Sequence, residues 1–159
     1  MRAVVQRVSR AEVRVAERVL GKIGRGLVVL LAVARGDSEK DADYLADRIS
    51  GLRIFADERG RMNLSLRQIE GAMLVVSQFT LLADVQAGRR PSFSAAAIPE
   101  EARPLYERFL SIASEAGVKV ERGEFGAMMA LELVNDGPVT IIVDSRGCSE
   151  HGEGRILRD

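Results

Sequence analysis

Ser77-Gln78-Phe79-Thr80 puts two hydroxyls and an amide within four residues, directly after the apolar run Met73 to Val76. If that run is a strand that continues through the segment, Gln78 and Thr80 project to one side and Ser77 and Phe79 to the other. Such a strand end can hold a sugar or an ester; by pattern alone it also reads as a polar strand terminus. A second stretch, Asn135-Asp136-Gly137-Pro138, lies between two runs that read as strands, Met129 to Val134 and Val139 to Asp144. The spacing predicts a hairpin with these four residues at its tip. Gly137 tolerates positive φ, and Pro138 has no N–H to give to a ladder. The tip would therefore direct main-chain carbonyls outward without a sheet partner, as an ordinary polar turn also does.

The rest of the chain is poor in chemical side chains. Its one histidine, His151, and one cysteine, Cys148, both fall in the Gly-rich stretch 147–154. A Ser–His–Asp or Cys–His site would have to be built from that stretch. A zinc site would need ligands the chain does not have in number. Any catalysis is thus expected to rest on backbone groups, hydroxyls, amides, carboxylates or the substrate itself, with no cofactor and no metal. Twenty-three basic and 23 acidic residues cancel, which argues against a nucleic-acid coat protein. An RNA partner would be gripped locally. In the loop Asp84 to Ala97, Arg89-Arg90 beside Phe93 reads either as a solvated connection or as a phosphate contact at a nucleotide end.

The elements that must position these residues fit one domain. A chain of 159 residues, 47% of them hydrophobic, fills one core. No apolar run approaches the roughly 20 residues of a membrane span. A single cysteine suits a reducing compartment, so a cytoplasmic location is expected. Strands are predicted at residues 2 to 8 (with Ala3, Val5 and Arg7 on one face), in a hairpin 13–15/19–23, at 27–33, 53–55, 61–66, 73–76 and 118–121, and in the last hairpin. One helix is predicted after Asp37 or Ser38, with Gly51 stopping it. A second starts near Pro99 or Pro104 and carries Leu105, Phe109, Ile112, Ala113 and Ala116 on one face. The expected fold is α+β: a largely antiparallel, barrel-like curled sheet with two main helices on one side. The domain is expected to span 1–146, followed by a flexible tail, 147–159.

Taken together, the motifs resemble those of the D-aminoacyl-tRNA deacylases. The resemblance rests on Ser77-Gln78-Phe79-Thr80 and Asn135-Asp136-Gly137-Pro138-Val139-Thr140. Further matches are Ala3-Val4-Val5-Gln6-Arg7-Val8, Arg90-Pro91-Ser92-Phe93 and Phe125-Gly126-Ala127-Met128-Met129. It implies hydrolysis of the ester between a D-amino acid and the terminal adenosine of tRNA. It further implies a cis Gly137-Pro138 peptide, held by Arg7 and inserted into the partner's site across a homodimer, where main-chain carbonyls take the substrate's amino group. Ser77 and Gln78 would position the ester and ribose. Backbone N–H groups near Phe79 and Thr80 would meet the oxyanion, with Thr80 as a positioning group or nucleophile. Phe125 and Met129, core residues by pattern, would line an adenosine pocket. A non-catalytic RNA- or nucleotide-binding dimer is the alternative. Neither reading involves a membrane or DNA.

Overall fold

The computed structural model describes residues 1–146. The predicted tail 147–159, with Cys148 and His151, lies outside the described residues. Strand β1 (Arg2–Val15) is the spine of the sheet. One edge of β1 pairs antiparallel with β8 (Ala130–Asp144) along most of its length. The other edge pairs antiparallel with β3 (Gly26–Ala32) through Val8, and then with β2 (Arg18–Ile23) beyond Ala11. Strand β6 (Ala72–Ser77) lies beside β3, and β7 (Lys119–Arg122) lies beside β6, both in parallel. Gly21 of β2 comes back against the main chain of Arg122 on β7, so the sheet is nearly closed. A small ribbon, β4 (Phe55–Ala56) with β5 (Met62–Leu64), sits apart from it.

The parallel pairings follow from the connections. Parallel strands need a long crossover, and each here contains a helix: α1 (Glu39–Ser50) between β3 and β6, and α2 (Pro99–Glu115) between β6 and β7. Both helices pack on one face of the sheet. Leu45 and Ile49 of α1 join Tyr106 and Phe109 of α2 in a cluster with Ala3, Val5, Leu27, Val29, Met73 and Val75. A second cluster on the opposite face gathers Val8, Ala11, Val13, Ile23, Val28, Leu74 and Val76. Strands β3 and β6 are thus buried on both faces, which is why they read as continuous apolar runs.

Local signals set the helices. Ser38 caps α1, and its N–H and hydroxyl both donate to Asp41 Oδ2 at 2.8 Å. Pro99 opens α2 at a position where a missing N–H costs nothing. The buried stripe of α2 is Ala102, Tyr106, Phe109, Leu110 and Ala113. It is rotated from the predicted one, leaving Leu105 and Ile112 half-buried at its border. Tyr106 can lie inside because its hydroxyl donates to Val75 O at 3.0 Å. Burial pushes that hydroxyl's pKa up. Arg108 ties the two helices by a two-pronged pair to Asp43 at 2.6 and 2.8 Å.

Two predicted elements differ. The last hairpin is one continuous strand: both arms of β8 pair with the same strand β1, in the same direction. The punctuation at Gly137-Pro138 marks a wide bulge. Rungs Val8↔Asn135 and Gln6↔Thr140 leave one β1 residue, Arg7, facing four β8 residues, Asp136 to Val139. Nor does the strand at β6 continue through Ser77-Thr80. It ends at Ser77, and Phe79–Leu82 form a 3-10 turn with Gln78 at its cap, so the alternation expected for these four side chains does not hold.

Candidate active site

The 3-10 turn determines what Phe79 and Thr80 can offer. The first N–H groups of any helical turn have no partner within it. The first bond of this turn is donated by Leu81 to Gln78 O at 3.2 Å. Among the described residues, the N–H groups of Phe79 and Thr80 donate to nothing. Gln78 N donates to Leu31 O at 2.8 Å, fixing the turn to the end of β3. The Gln78 side-chain amide donates to Thr80 Oγ1 at 2.5 Å. The Phe79 ring is 56% exposed and meets the Phe93 ring edge-on, centroids 5.1 Å apart. Phe93 closes a loop whose neck is the Asp84–Ser92 bridge, 2.8 Å in both directions. Arg89 and Arg90 stand exposed within it, and neither forms an ion pair among the described residues.

The bulge on β8 is held from beneath. Arg7 is only 11% exposed. Its Nε donates to Asp136 O at 3.0 Å and lies 3.2 Å from the Asp136 carboxylate. Its Nη1 donates to Ile54 O at 2.5 Å, next to β4. Gln6 Nε2 donates to Asn135 Oδ1 at 2.7 Å. Gly137 has φ +130, and the Gly137-Pro138 peptide is cis. Gly137 and Pro138 are both exposed, and Val139 turns back onto the helix-side core.

The two segments do not meet within one chain. Arg2 Nε donates to Asp144 Oδ2 at 2.9 Å while its Nη1 donates to Leu81 O at 3.4 Å, so the 3-10 turn sits beside the Asp144 end of β8. The bulge carrying Pro138 faces Arg7, five β1 residues from the Arg2↔Asp144 rung, roughly 17 Å at about 3.3 Å per residue. Phe125 is at the turn's end of the sheet: Gly123 N donates to Val75 O at 3.0 Å, and the Phe125 ring lies 5.6 Å from that of Tyr106. The Arg103 guanidinium lies 5.0 Å from the centroid of the same ring. Met129 packs instead against the second cluster, near Gly123 and Val13. Phe125 and Met129 thus lie against different clusters. Sequence reasoning passed over the Gln6–Asn135 bond, which the β1–β8 register brings together, and the Ile54 carbonyl, which the segment before β4 places against Arg7.

Residues 4–144 match the family described as D-Tyr-tRNA(Tyr) deacylase. A D-aminoacyl-tRNA deacylase from Dehalococcoides mccartyi is 61% identical over 146 residues, covering 92% of this chain and 95% of the relative. One from Thermotoga petrophila is 57% identical over 145 residues, covering 91% and 97%. Among solved structures, the c-Myc DNA unwinding element binding protein superposes with a TM-score of 0.84 at 38% identity, over 91% of this chain and 98% of that one. A probable eukaryotic D-amino acid tRNA deacylase, at 21% identity and TM-score 0.78 over 90% and 98%, shares the fold. With these matches spanning both the 3-10 turn and the bulge, the chain belongs to the D-Tyr-tRNA(Tyr) deacylase family.

Proposed function

We propose that this chain hydrolyses the ester joining a D-amino acid to the 3′-terminal adenosine of tRNA, and rejects the L form by main-chain geometry. The observation that carries the reading is the Asp136–Val139 bulge, exposed at Gly137 and Pro138, with the Arg7 guanidinium bonded to it. Handedness is a matter of where the side chain points once the amino group and ester carbonyl are fixed. A wall of main-chain atoms excludes an L side chain by clash and lets a D side chain leave toward solvent. It accepts many D-amino acids and cannot exclude glycine, which has nothing to clash. The Gly137 and Pro138 carbonyls take the amino group. Ser77 and Gln78 position ester and ribose, Phe125 and Met129 border the adenosine from the two clusters they pack against, and the N–H groups of Phe79 and Thr80 stabilise the oxyanion.

Because the bulge and the turn lie far apart in one chain, a second copy supplies the loop in this reading. Among the described residues β8 pairs only with β1, leaving its other edge open. Val134 at 40% and Ile142 at 68% exposure supply apolar surface along it. The test is ester loss from D-Tyr-tRNA and L-Tyr-tRNA: fast release from the D ester alone is expected, and no acceleration with it would overturn the enzyme reading. That outcome would favour the non-catalytic nucleotide-binding dimer, whose support is the lack of a side-chain base in the turn.

Two further results are expected. Thr80 Oγ1 has an amide, not a base, as its partner, so water activated by the adenosine 2′-OH is the better nucleophile. Thr80→Ala should stay within about tenfold of the parent rate, whereas removing a nucleophile costs roughly 10⁴- to 10⁶-fold. Loss on that scale, with the melting curve intact, would make Thr80 the nucleophile. Arg89 and Arg90 with Phe93 form a basic, aromatic patch suited to the nucleotides 5′ of the terminal adenosine. Arg89→Ala/Arg90→Ala should raise KM for D-aminoacyl-tRNA and flatten its salt dependence by about two contacts. It should leave turnover of a D-aminoacyl-adenosine ester unchanged; equal losses on both substrates would argue against a contact with the RNA.

A further inference from the structure

We infer that Gln6 and Asn135 form a clamp that sets how the Asp136–Val139 bulge projects, and that they are positioning residues for chiral discrimination; the inference rests on the deacylase reading above. The ladder between β1 and β8 is broken twice in succession. On one side of the Val8↔Asn135 rung, the four-residue bulge faces Arg7. On the other side the next rung is Arg10↔Val134, so β1 carries an extra residue, Ser9. Val8↔Asn135 is therefore a lone rung between two irregularities, with no neighbouring pair to hold its angle. A bulge increases local twist and re-aims the chain that leaves it, so a single rung leaves the exit direction of the loop poorly fixed.

The Gln6–Asn135 bond supplies the missing constraint. Gln6 pairs through its backbone with Thr140, at the far end of the bulge, while its side chain donates to Asn135 at the near end, 2.7 Å away. One residue thus holds both ends of the four-residue excursion and closes its neck. Arg7 grips the loop by the Asp136 carbonyl, inside that neck. The bond is exposed, so it contributes little to global stability. Its effect is expected in the placement of the Gly137 and Pro138 main chain, where an error of about 1 Å can cost up to ~10²-fold.

The experiment compares Gln6→Leu, Asn135→Leu and Asn135→Asp with the parent, reading single-turnover hydrolysis of D-, L- and glycyl-tRNA esters. Both leucine variants should raise the L-to-D rate ratio about tenfold, within the range expected for a misplaced binding wall. Asn135→Asp keeps an acceptor for Gln6 and should hold the parent ratio. A partly unfolded variant lowers all three rates in proportion, so a fall in rate with an unchanged ratio would overturn the clamp. An unchanged ratio and rate in Gln6→Leu would do the same. Amide hydrogen exchange at Asp136, Gly137 and Val139 reads the clamp without catalysis: faster exchange in Gln6→Leu supports it, and parent-like exchange refutes it. Failure of the parent itself to release the D-amino acid would overturn the deacylase reading, leaving the exchange measurement to judge the clamp.

Discussion

Gly137→Ala should lower hydrolysis of the D ester by about two orders of magnitude and leave the fold in place. At φ +130 the backbone at Gly137 is one that L side chains rarely adopt. A Cβ there would lie 2.9 Å from Val139 Cγ2, 3.0 Å from Arg7 Nη2 and 3.0 Å from Val139 N. Neither side chain can yield without consequence. Val139 is packed on the helix-side cluster, and the Arg7 guanidinium is committed to Asp136 O and Ile54 O. About 2–3 kcal/mol of local strain depopulates the projecting conformer by roughly 30- to 150-fold, at 1.4 kcal/mol per decade. The loop is exposed and buries little, so the loss of stability is bounded by that strain, about 4–12 °C in Tm, and the fold stays in place. Single-turnover ester release measures the first effect and circular dichroism the second. A parent-like rate would show that the bulge takes no part in the reaction.

The larger effect on stability is expected at Gly26. Its rung is Ala72 on β6, and a Cβ at Gly26 would lie 1.9 Å from Ala72 O, with Ala72 C and N at 2.9 and 3.0 Å. All three obstructing atoms are main chain, so no rotamer change relieves them. Strands β3 and β6 would have to part at the start of a ladder that runs from Gly26 to Leu31, buried on both faces. Gly26→Ala should cost upward of about 4 kcal/mol, in the range reserved for broken core geometry. For a domain of this size that is a fall of roughly 8–16 °C in Tm. Gly24→Ala, two residues away, meets nothing within 4 Å and is the control. Equal melting temperatures for the two variants would contradict the register given for β3 and β6.

Local chemistry made much of this molecule legible. The Ser38 cap, the Gly51 stop and the apolar stripe between them predict α1 almost to the residue, because each acts within one turn of chain. The unbroken apolar run at 27–33 announces a strand buried on both faces. What could not be read was pairing. Gly137-Pro138 breaks a ladder equally well at a hairpin tip or in a bulge; the choice depends on β1, more than a hundred residues earlier. Parallel alignment of β3, β6 and β7 is equally non-local. Ser77-Thr80 combined a strand-like approach with no punctuating residue, and the turn there is set by Gln78 N on Leu31 O. Tyr106 was passed over as a core residue because its acceptor, Val75 O, lies on another element.

The bulge on β8 has one more property. In the proposed filter, the groups at Gly137 and Pro138 that meet the substrate are main-chain carbonyls, atoms that every amino acid carries. No codon change can swap a carbonyl oxygen for another group, so inheritance has no direct handle on such a surface. Variation reaches it only by displacing it, through Gly137 and Pro138 themselves or through the supports Gln6, Arg7, Asn135 and the Ile54 carbonyl. Drift at the exposed positions around it is therefore buffered. If the proposed filter holds, a change in handedness preference would require reshaping the scaffold that places these carbonyls.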